Sequence, residues 1–418
     1  MSTANKKWDV ALAACDRYEE TAVEAALREV LDPIDGLAFV KPGMRVAIKV
    51  NLVTAMKPDT AATVHPAVVC ALVKMLRERG AEVVIGDGPG GIYSAAYLRA
   101  VYDVCGMQQA EKLGAKLNDD FSVQEVEYPA AVQAKHFPYT AYLGKADAII
   151  DLCKLKTHGM MGMTCAVKNF FGSVPGTKKP EFHYTFPRPE DFANVLVDLY
   201  EYSAPRLCIC DAVIGMEGNG PTMGMPRKIG CLLASTSGHM LDAVAAGLIG
   251  LVPDDIPTLR AAVRRGLLPE DLSSISVCGD PGRFAIADFK TVPVQSDVFF
   301  HVLGDGLPGR IADFIAGRVI TPFPKLDPSS CIGCGKCAQT CPAKAITMTR
   351  GKPQINRSIC IHCFCCQEFC PKGAMQVGST WIWRVLKGYF NRRSRQKTAC
   401  VHLRLRGEEH EAVPYRQN

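Results

Sequence analysis

Eight cysteines near the C-terminal end of the chain carry its clearest chemistry. Cys331-Ile-Gly-Cys334-Gly-Lys-Cys337-Ala-Gln-Thr-Cys341-Pro342 and Cys360-Ile-His-Cys363-Phe-Cys-Cys366-Gln-Glu-Phe-Cys370-Pro371 both read C-x2-C-x2-C-x3-C-P. Such spacing turns three thiolates of one loop onto one face of an iron–sulfur cubane, while the fourth opens the next turn and reaches the other cubane. The crossed rule gives Cys331, Cys334, Cys337 and Cys370 to one [4Fe–4S] cluster, and Cys360, Cys363, Cys366 and Cys341 to the second. The expected cofactors are therefore two [4Fe–4S] clusters, which exchange single electrons. Zinc ribbons and disulfide frameworks do not account for two full repeats with both Cys-Pro endings. Gly333 and Gly335 let backbone N–H groups approach the sulfurs. Cys365 falls outside the spacing and reads as a spectator.

A second constellation is polar. Lys154-Leu-Lys156-Thr157-His158 is followed by Thr164, Lys168-Asn169, Lys178-Lys179 and His183, with no Asp or Glu from Lys154 to Pro180. Lysines among glycines are how a protein holds phosphate or carboxylate. Lys156, His158, Lys168 and Asn169 are the leading candidates. His158 is either a proton donor at neutral pH or a hydrogen-bonded core histidine, and the residues alone leave both open. Glu217 and Asn219, in Glu217-Gly-Asn-Gly-Pro221, could add acid/base and amide contacts, or the segment is simply a tight turn. Gly86-Asp-Gly-Pro-Gly-Gly91 formally matches a dinucleotide fingerprint, but Pro89 is awkward for a helix start. A turn presenting Asp87 fits better.

These residues need a scaffold. Thr21-x-x-Glu24 reads as a capping box opening a helix, with Val23, Ala26, Leu27, Val30 and Leu31 on its apolar side. Arg45–Val50 and Glu82–Ile85 read as strands, separated by a helix that Pro66 opens and Gly80 stops. Another helix is expected from Ser94 to Cys105, then buried strands at 146–151, 206–210 and 229–234, and a core helix at 241–251. Strands alternating with helices predict an α/β fold, a largely parallel sheet covered on both faces. Ligands of such sheets gather at the carboxyl ends of the strands, where Asn51, Asp87, Lys154 and Asp211 stand, and Lys49 joins them as a candidate binding residue. Prolines 322, 324 and 328 with Ser329-Ser330 read as a stiff linker. The expected domains are residues 1–323, α/β; 324–378, a small α+β two-cluster ferredoxin-like unit; and 379–418, a basic aromatic tail.

Several of these motifs together resemble the DUF362 family. They are Lys49-Val-Asn51, His65-Pro66, Gly86-Asp-Gly88, Lys154-Leu-Lys156-Thr-His158, Thr164-x-x-Val-Lys168-Asn169-x-x-Gly172 and Asp211-Ala-Val-Ile-Gly-Met-Glu-Gly-Asn-Gly-Pro221. The resemblance spans roughly residues 8–320 and implies an α/β domain, an iron–sulfur partner domain and a redox role. The chain departs from it at Ser237-Gly238, where the family often has Asp ahead of the helix carrying Asp242.

The 418 residues hold material for two or three domains, and 48% hydrophobic with 22% charged content is that of a globular protein. A net charge of +6 gives no argument for nucleic acid. Nineteen cysteines, several inside apolar runs, imply reduced thiols and a cytoplasmic setting. No run has the length of a transmembrane segment. The tail, from Trp381-Ile-Trp to Asn391-Arg-Arg-Ser-Arg, either packs on its own protein or makes peripheral contact with a redox partner or an anionic membrane surface. Three functions remain open. One is an oxidoreductase passing electrons to or from a small anionic substrate, with Lys156, His158 and Glu217 catalytic and Thr157 and Thr164 among the binding residues. Another is an electron-transfer or assembly protein whose front domain recognises a redox partner protein. The third is a transferase or isomerase with structural clusters.

Overall fold

The structure is a computed structural model, and it describes residues 8–292 and 322–380. The strands are β1 (Val10–Ala14), β2 (Arg45–Val50), β3 (Glu82–Gly86), β4 (Lys116–Leu117), β5 (Val123–Glu127), β6 (His136–Thr140), β7 (Ala148–His158), β8 (Gly162–Thr164), β9 (Leu207–Glu217), β10 (Met225–Ser235), β11 (Val277–Cys278), β12 (Phe323–Leu326), β13 (Ile346–Thr349), β14 (Lys352–Ile355) and β15 (Met375–Gly378). The main sheet runs β11-β1-β10-β9-β7-β2-β3-β4, with β8 hairpinned onto β7. Every pairing from β9 to β4 along that path is parallel, while β10 runs antiparallel to both of its neighbours. The fold class is the expected one, an α/β domain with a mainly parallel sheet.

Each face of the sheet buries its own core. On one side the helices Glu20–Leu31, Pro66–Glu78 and Ala95–Cys105 lay Val23, Leu27, Val69, Leu72 and Val101 against Ile48, Val50, Ile150 and Leu152. On the other, the helices Pro189–Ser203, Gly238–Leu248 and Pro257–Arg264 pack Phe192, Leu196 and Leu241 against Cys153, Leu155 and Cys210. The strand period of two sends alternate residues to opposite cores.

Several boundaries differ from expectation. The first helix begins at Glu20 with no side-chain cap from Glu19 before it, so Thr21 lies inside it and Glu24 pairs with Lys74 rather than closing a capping box. Strand β7 continues through Lys154-Leu-Lys-Thr-His158 with every residue buried, and β9 continues to Glu217. Hydropathy ends at Leu152, but the lysines beyond it are individually satisfied inside the protein, as described below. The proline stretch expected as a linker contains β12, which pairs antiparallel with β15 and so ties both ends of the small C-terminal unit together. Pro324 sits on this edge, where its missing N–H costs no ladder bond. The tail from Trp381 lies outside the described residues, and among those described no helix is long and apolar enough to cross a membrane.

Candidate functional site

The carboxyl ends of β2, β3, β7 and β9 gather most of the expected polar residues into one connected network. Lys49 Nζ lies 2.6 Å from Asp87 Oδ1 and donates to Asn169 Oδ1 at 3.2 Å. Asn169 also receives Asn51 Nδ2 at 2.9 Å and donates to Asp151 Oδ1 at 2.7 Å. Asn51 Oδ1 in turn accepts from Lys156 Nζ at 2.6 Å, whose second donation goes to the Ala62 carbonyl at 2.6 Å. Gly172 is required here: a Cβ would stand 2.1 Å from Asp87 Oδ1 and 2.6 Å from Lys49 Nζ. Lys154 and Asp211 form a separate ion pair at 2.8 Å, with the Tyr18 hydroxyl donating to Asp211 at 2.8 Å and His65 stacked on the Tyr18 ring at 3.7 Å. Buried ion pairs contribute little net stability, so two of them in one corner point to a task other than holding the fold.

Three basic side chains are left over. His158 is buried, and its Nδ1 accepts from the Met160 and Met161 N–H groups at 3.2 Å each, which places the proton on Nε2. Nε2 has no partner among the described residues, nor has Nδ1 of the buried His183. Burial, reinforced by Lys168, His183 and Lys156, pushes the His158 pKa well below the usual histidine value, so it is a neutral N–H donor. Burial and Lys168 hold His183 neutral as well, at about 3. Lys168 sits 5.6 Å from the Phe171 ring centroid, has no ion pair among the described residues, and is shifted downward by burial. Lys156 falls to about 7, from burial first and Lys168 second. A neutral lysine has two N–H donors, and both of Lys156's are committed. A proton arriving near pH 7 adds a third.

Over this corner lies the second cysteine motif. Phe364 packs on Gly159, and the Phe369 ring fills the space above Gly90, where a Cβ would stand 2.5 Å from the ring. Gln367, 1% exposed, directs its amide N–H group to Asn219 O at 2.9 Å, Asn219 Oδ1 at 3.0 Å and Gly220 O at 2.8 Å. Asn219 Nδ2 donates to Met375 O at 3.2 Å, and Thr222 Oγ1 to Glu368 O at 2.8 Å. Thr157 Oγ1 closes the loop from below, donating to Gly218 O and accepting from Gly220 N–H. Glu368 is the first charge acting against burial at Lys168.

The expected site residues thus divide into groups. Lys49, Asn51, Asp87, Lys156, Asn169, Lys168 and His158 come together under the second motif, and Thr164 stands opposite Lys156 on β8. Lys154 and Asp211 close on Tyr18 instead. Asn219 spends its polar atoms on the contact between domains, and Thr157 spends its hydroxyl on the Gly218–Gly220 loop that makes that contact. Glu217 accepts the Lys290 N–H at 3.1 Å and has the Lys290 ammonium at 3.8 Å. Sequence reasoning missed Gln367, Phe364 and Tyr18. A signal existed for Phe364: it takes the place that Gly335 holds in the first motif.

The cysteines fit iron–sulfur ligation. A cavity is lined by Cys331, Cys334, Cys337 and Cys370, the crossed set for one cluster, with Ile332, Met348 and Met375 shielding it. Cys366 of the second set is buried in the small core of this unit, and Cys341 packs against that core. Cys365 is buried in the core shared with the α/β domain, where its side chain is hydrogen-bonded to that of Cys363, a member of the second set.

Comparison with known proteins agrees. The family model described as "Domain of unknown function (DUF362)" matches residues 46–247, and one described as "4Fe-4S dicluster domain" matches residues 323–371. The thylakoid-associated protein sll1697 of Synechocystis is 33% identical over 308 residues, which is 72% of this chain and 91% of that protein. Among solved structures, the lactate racemase apoprotein of Thermoanaerobacterium thermosaccharolyticum overlaps at TM-score 0.35 and 11% identity, over 58% of each chain. A Thermotoga maritima protein overlaps at TM-score 0.33 and 13% identity, over 51% of this chain and 55% of its own. This chain spans little more than half the length of those two structures. It is an iron–sulfur protein with the equipment of electron transfer, and it belongs to the DUF362 family.

Proposed function

We propose that the protein is an oxidoreductase in which a small anionic substrate, a carboxylate or phosphate ester, sits between the end of β7 and the second cysteine motif. The observation that carries this reading is His158 Nε2–H, buried without a partner among the described residues, with Lys168, which has no ion pair among them, acting on it from nearby, beneath a motif whose Gln367 and Glu368 are bonded to the β9–β10 loop. Bound [4Fe–4S] clusters, held by the two crossed cysteine sets, supply single electrons. The protein's own residues do the rest. Lys168 balances the substrate's charge, and His158 donates a hydrogen bond from Nε2. Because His158 is already neutral, losing Nε2–H would leave an imidazolate, so the proton work falls to Lys156 near pH 7. Phe364, Phe369 and Gly90 shut water out from above.

The test is anaerobic. Holoprotein reduced with dithionite and freed of excess reductant is mixed with a panel of small carboxylates and phosphate esters, and the return of cluster absorbance is followed. One class should reoxidise the protein. Lys168→Met should slow that reaction at least tenfold with the iron content unchanged, since one charge-assisted hydrogen bond is worth about 1.5–3 kcal/mol. Reoxidation at the wild-type rate in Lys168→Met, or none by any compound, refutes the proposal.

A further inference from the structure

Three sulfurs unrelated to the cluster motifs meet inside the α/β core. Cys153 of β7 and Cys210 of β9 are register partners on adjacent parallel strands. Cys165, at the turn leading into Ala166–Asn169, completes the group: its Sγ lies 3.5 Å from that of Cys153 and 3.4 Å from that of Cys210, with all three atoms within 4.8 Å of one another. Each is at most 1% exposed. The meeting is specific, since Cys208, two residues earlier on β9, points its sulfur at the Tyr200 hydroxyl instead, 3.4 Å away.

We propose that Cys153, Cys165 and Cys210 form a three-coordinate thiolate site for a soft, closed-shell cation of the Cu(I) class, distinct from the iron–sulfur ligands. The dimensions agree. A metal in the plane of three sulfurs at about 2.3 Å holds them about 4.0 Å apart, so the observed triangle needs to open by only about half an ångström. The ligand number also agrees. Among the described residues no histidine nitrogen or carboxylate oxygen joins the three sulfurs, and their burial leaves no open side for a water as fourth ligand. Zinc prefers four ligands, whereas soft thiolates suit Cu(I).

The surroundings can manage the protons. Loading displaces the S–H proton from each sulfur that binds, with no change of oxidation state. Asp242 stands beside Cys165 with its two oxygens on the Ala166 and Val167 N–H groups, at 2.7 and 3.1 Å. The displaced protons leave to solvent.

The experiment purifies the cluster-loaded protein anaerobically from copper-supplemented cells, in the presence of a competing Cu(I) chelator. Copper and iron per chain are counted, and the copper-edge X-ray absorption is recorded. One copper per chain with three sulfur neighbours is expected, Cys165→Ala should weaken its retention at least 100-fold without loss of iron, and Zn(II) should bind more weakly. Absence of retained copper, tighter Zn(II) binding, or equal retention in Cys165→Ala overturns the site. Should Cys165→Ala not fold, the wild-type spectrum decides alone, and nitrogen or oxygen neighbours overturn it.

Discussion

The contact through Gln367 ties the second cluster motif to the α/β domain, and its truncation tests whether that contact orders the site. Gln367 Nε2 carries two hydrogens and faces three acceptors at 2.8–3.0 Å, so one hydrogen is shared. Two net amide hydrogen bonds contribute about 1–3 kcal/mol, and Gln367→Ala also strands the Gly220 and Asn219 carbonyls, adding about 1 kcal/mol or more. A total of about 2–4 kcal/mol moves the balance between docked and undocked motif by roughly 30- to 1,000-fold, at 1.4 kcal/mol per factor of ten. Hydrogen–deuterium exchange of the anaerobic holoprotein reads this directly. The Gly220 amide, which donates to Thr157 Oγ1, should lose protection by that factor, while core amides of β2 and β7 keep theirs. Gln367→Glu should be worse at neutral pH, because a carboxylate would then face carbonyl oxygens, and should recover as pH falls. Exchange at Gly220 within twofold of wild type, with iron content intact, would show that Gln367 does not hold the domains together.

Three further outcomes follow from the same geometry. Lys156 takes its proton only near pH 7, so binding of inorganic phosphate, followed by titration calorimetry, should strengthen as pH drops through 7 and lose that dependence in Lys156→Met. The stability effect has the opposite sense: between the ordinary lysine range and pH 7 the unfolded chain gains a proton that buried Lys156 refuses, so the penalty grows down to about pH 7 and is then constant. Gly172→Ala should cost at least 2 kcal/mol in denaturant unfolding, since its methyl would collide with Asp87 and Lys49 and break a buried pair. Phe364→Gly should leave the iron content unchanged, because Gly335 serves the same position of the first motif. It should increase exchange around Gly159, as the docked ring is lost.

Much of the fold could be read in the residues, because its governing signals are local. Strands β2 and β3, the helix opened by Pro66 and the helix capped by Ser94 follow from apolar periodicity and capping chemistry. Periodicity fails where lysine occupies a buried strand. Nothing local says that Lys156 will meet Asn51 and the Ala62 carbonyl, and only those long-range partners let β7 continue to His158. The antiparallel placement of β10 was hidden for a related reason: it is set by the β9–β10 hairpin, whose loop carries the contacts to the cluster domain. Lys156, His158, Lys168 and Asn169 could be named from composition alone. Their division of labour could not, since the neutrality of His158 depends on burial and on two backbone N–H groups that occupy its Nδ1.

The two cysteine motifs share a backbone but not a surface, and that difference identifies the cluster nearer the polar corner. In the first motif Gly333 and Gly335 take the left-handed conformation, at φ 72° and 73°. In the second the same two places are His362 and Phe364, at φ 53° and 61°. Side chains in that region cost about 1–2 kcal/mol each, so glycine would be the cheaper choice on backbone grounds. At Phe364 the compensation is visible: the ring is 4% exposed and joins the α/β core over Gly159, and burying a phenylalanine side chain contributes about 1.5–3 kcal/mol. The first motif keeps Gly335 and leaves Ile332 and Cys334 exposed. One loop is therefore shaped for docking against the α/β domain, and the other is not. In the proposed oxidoreductase, electrons would then pass from the outward-facing cluster to the inward-facing one and on to the corner of Lys168 and His158.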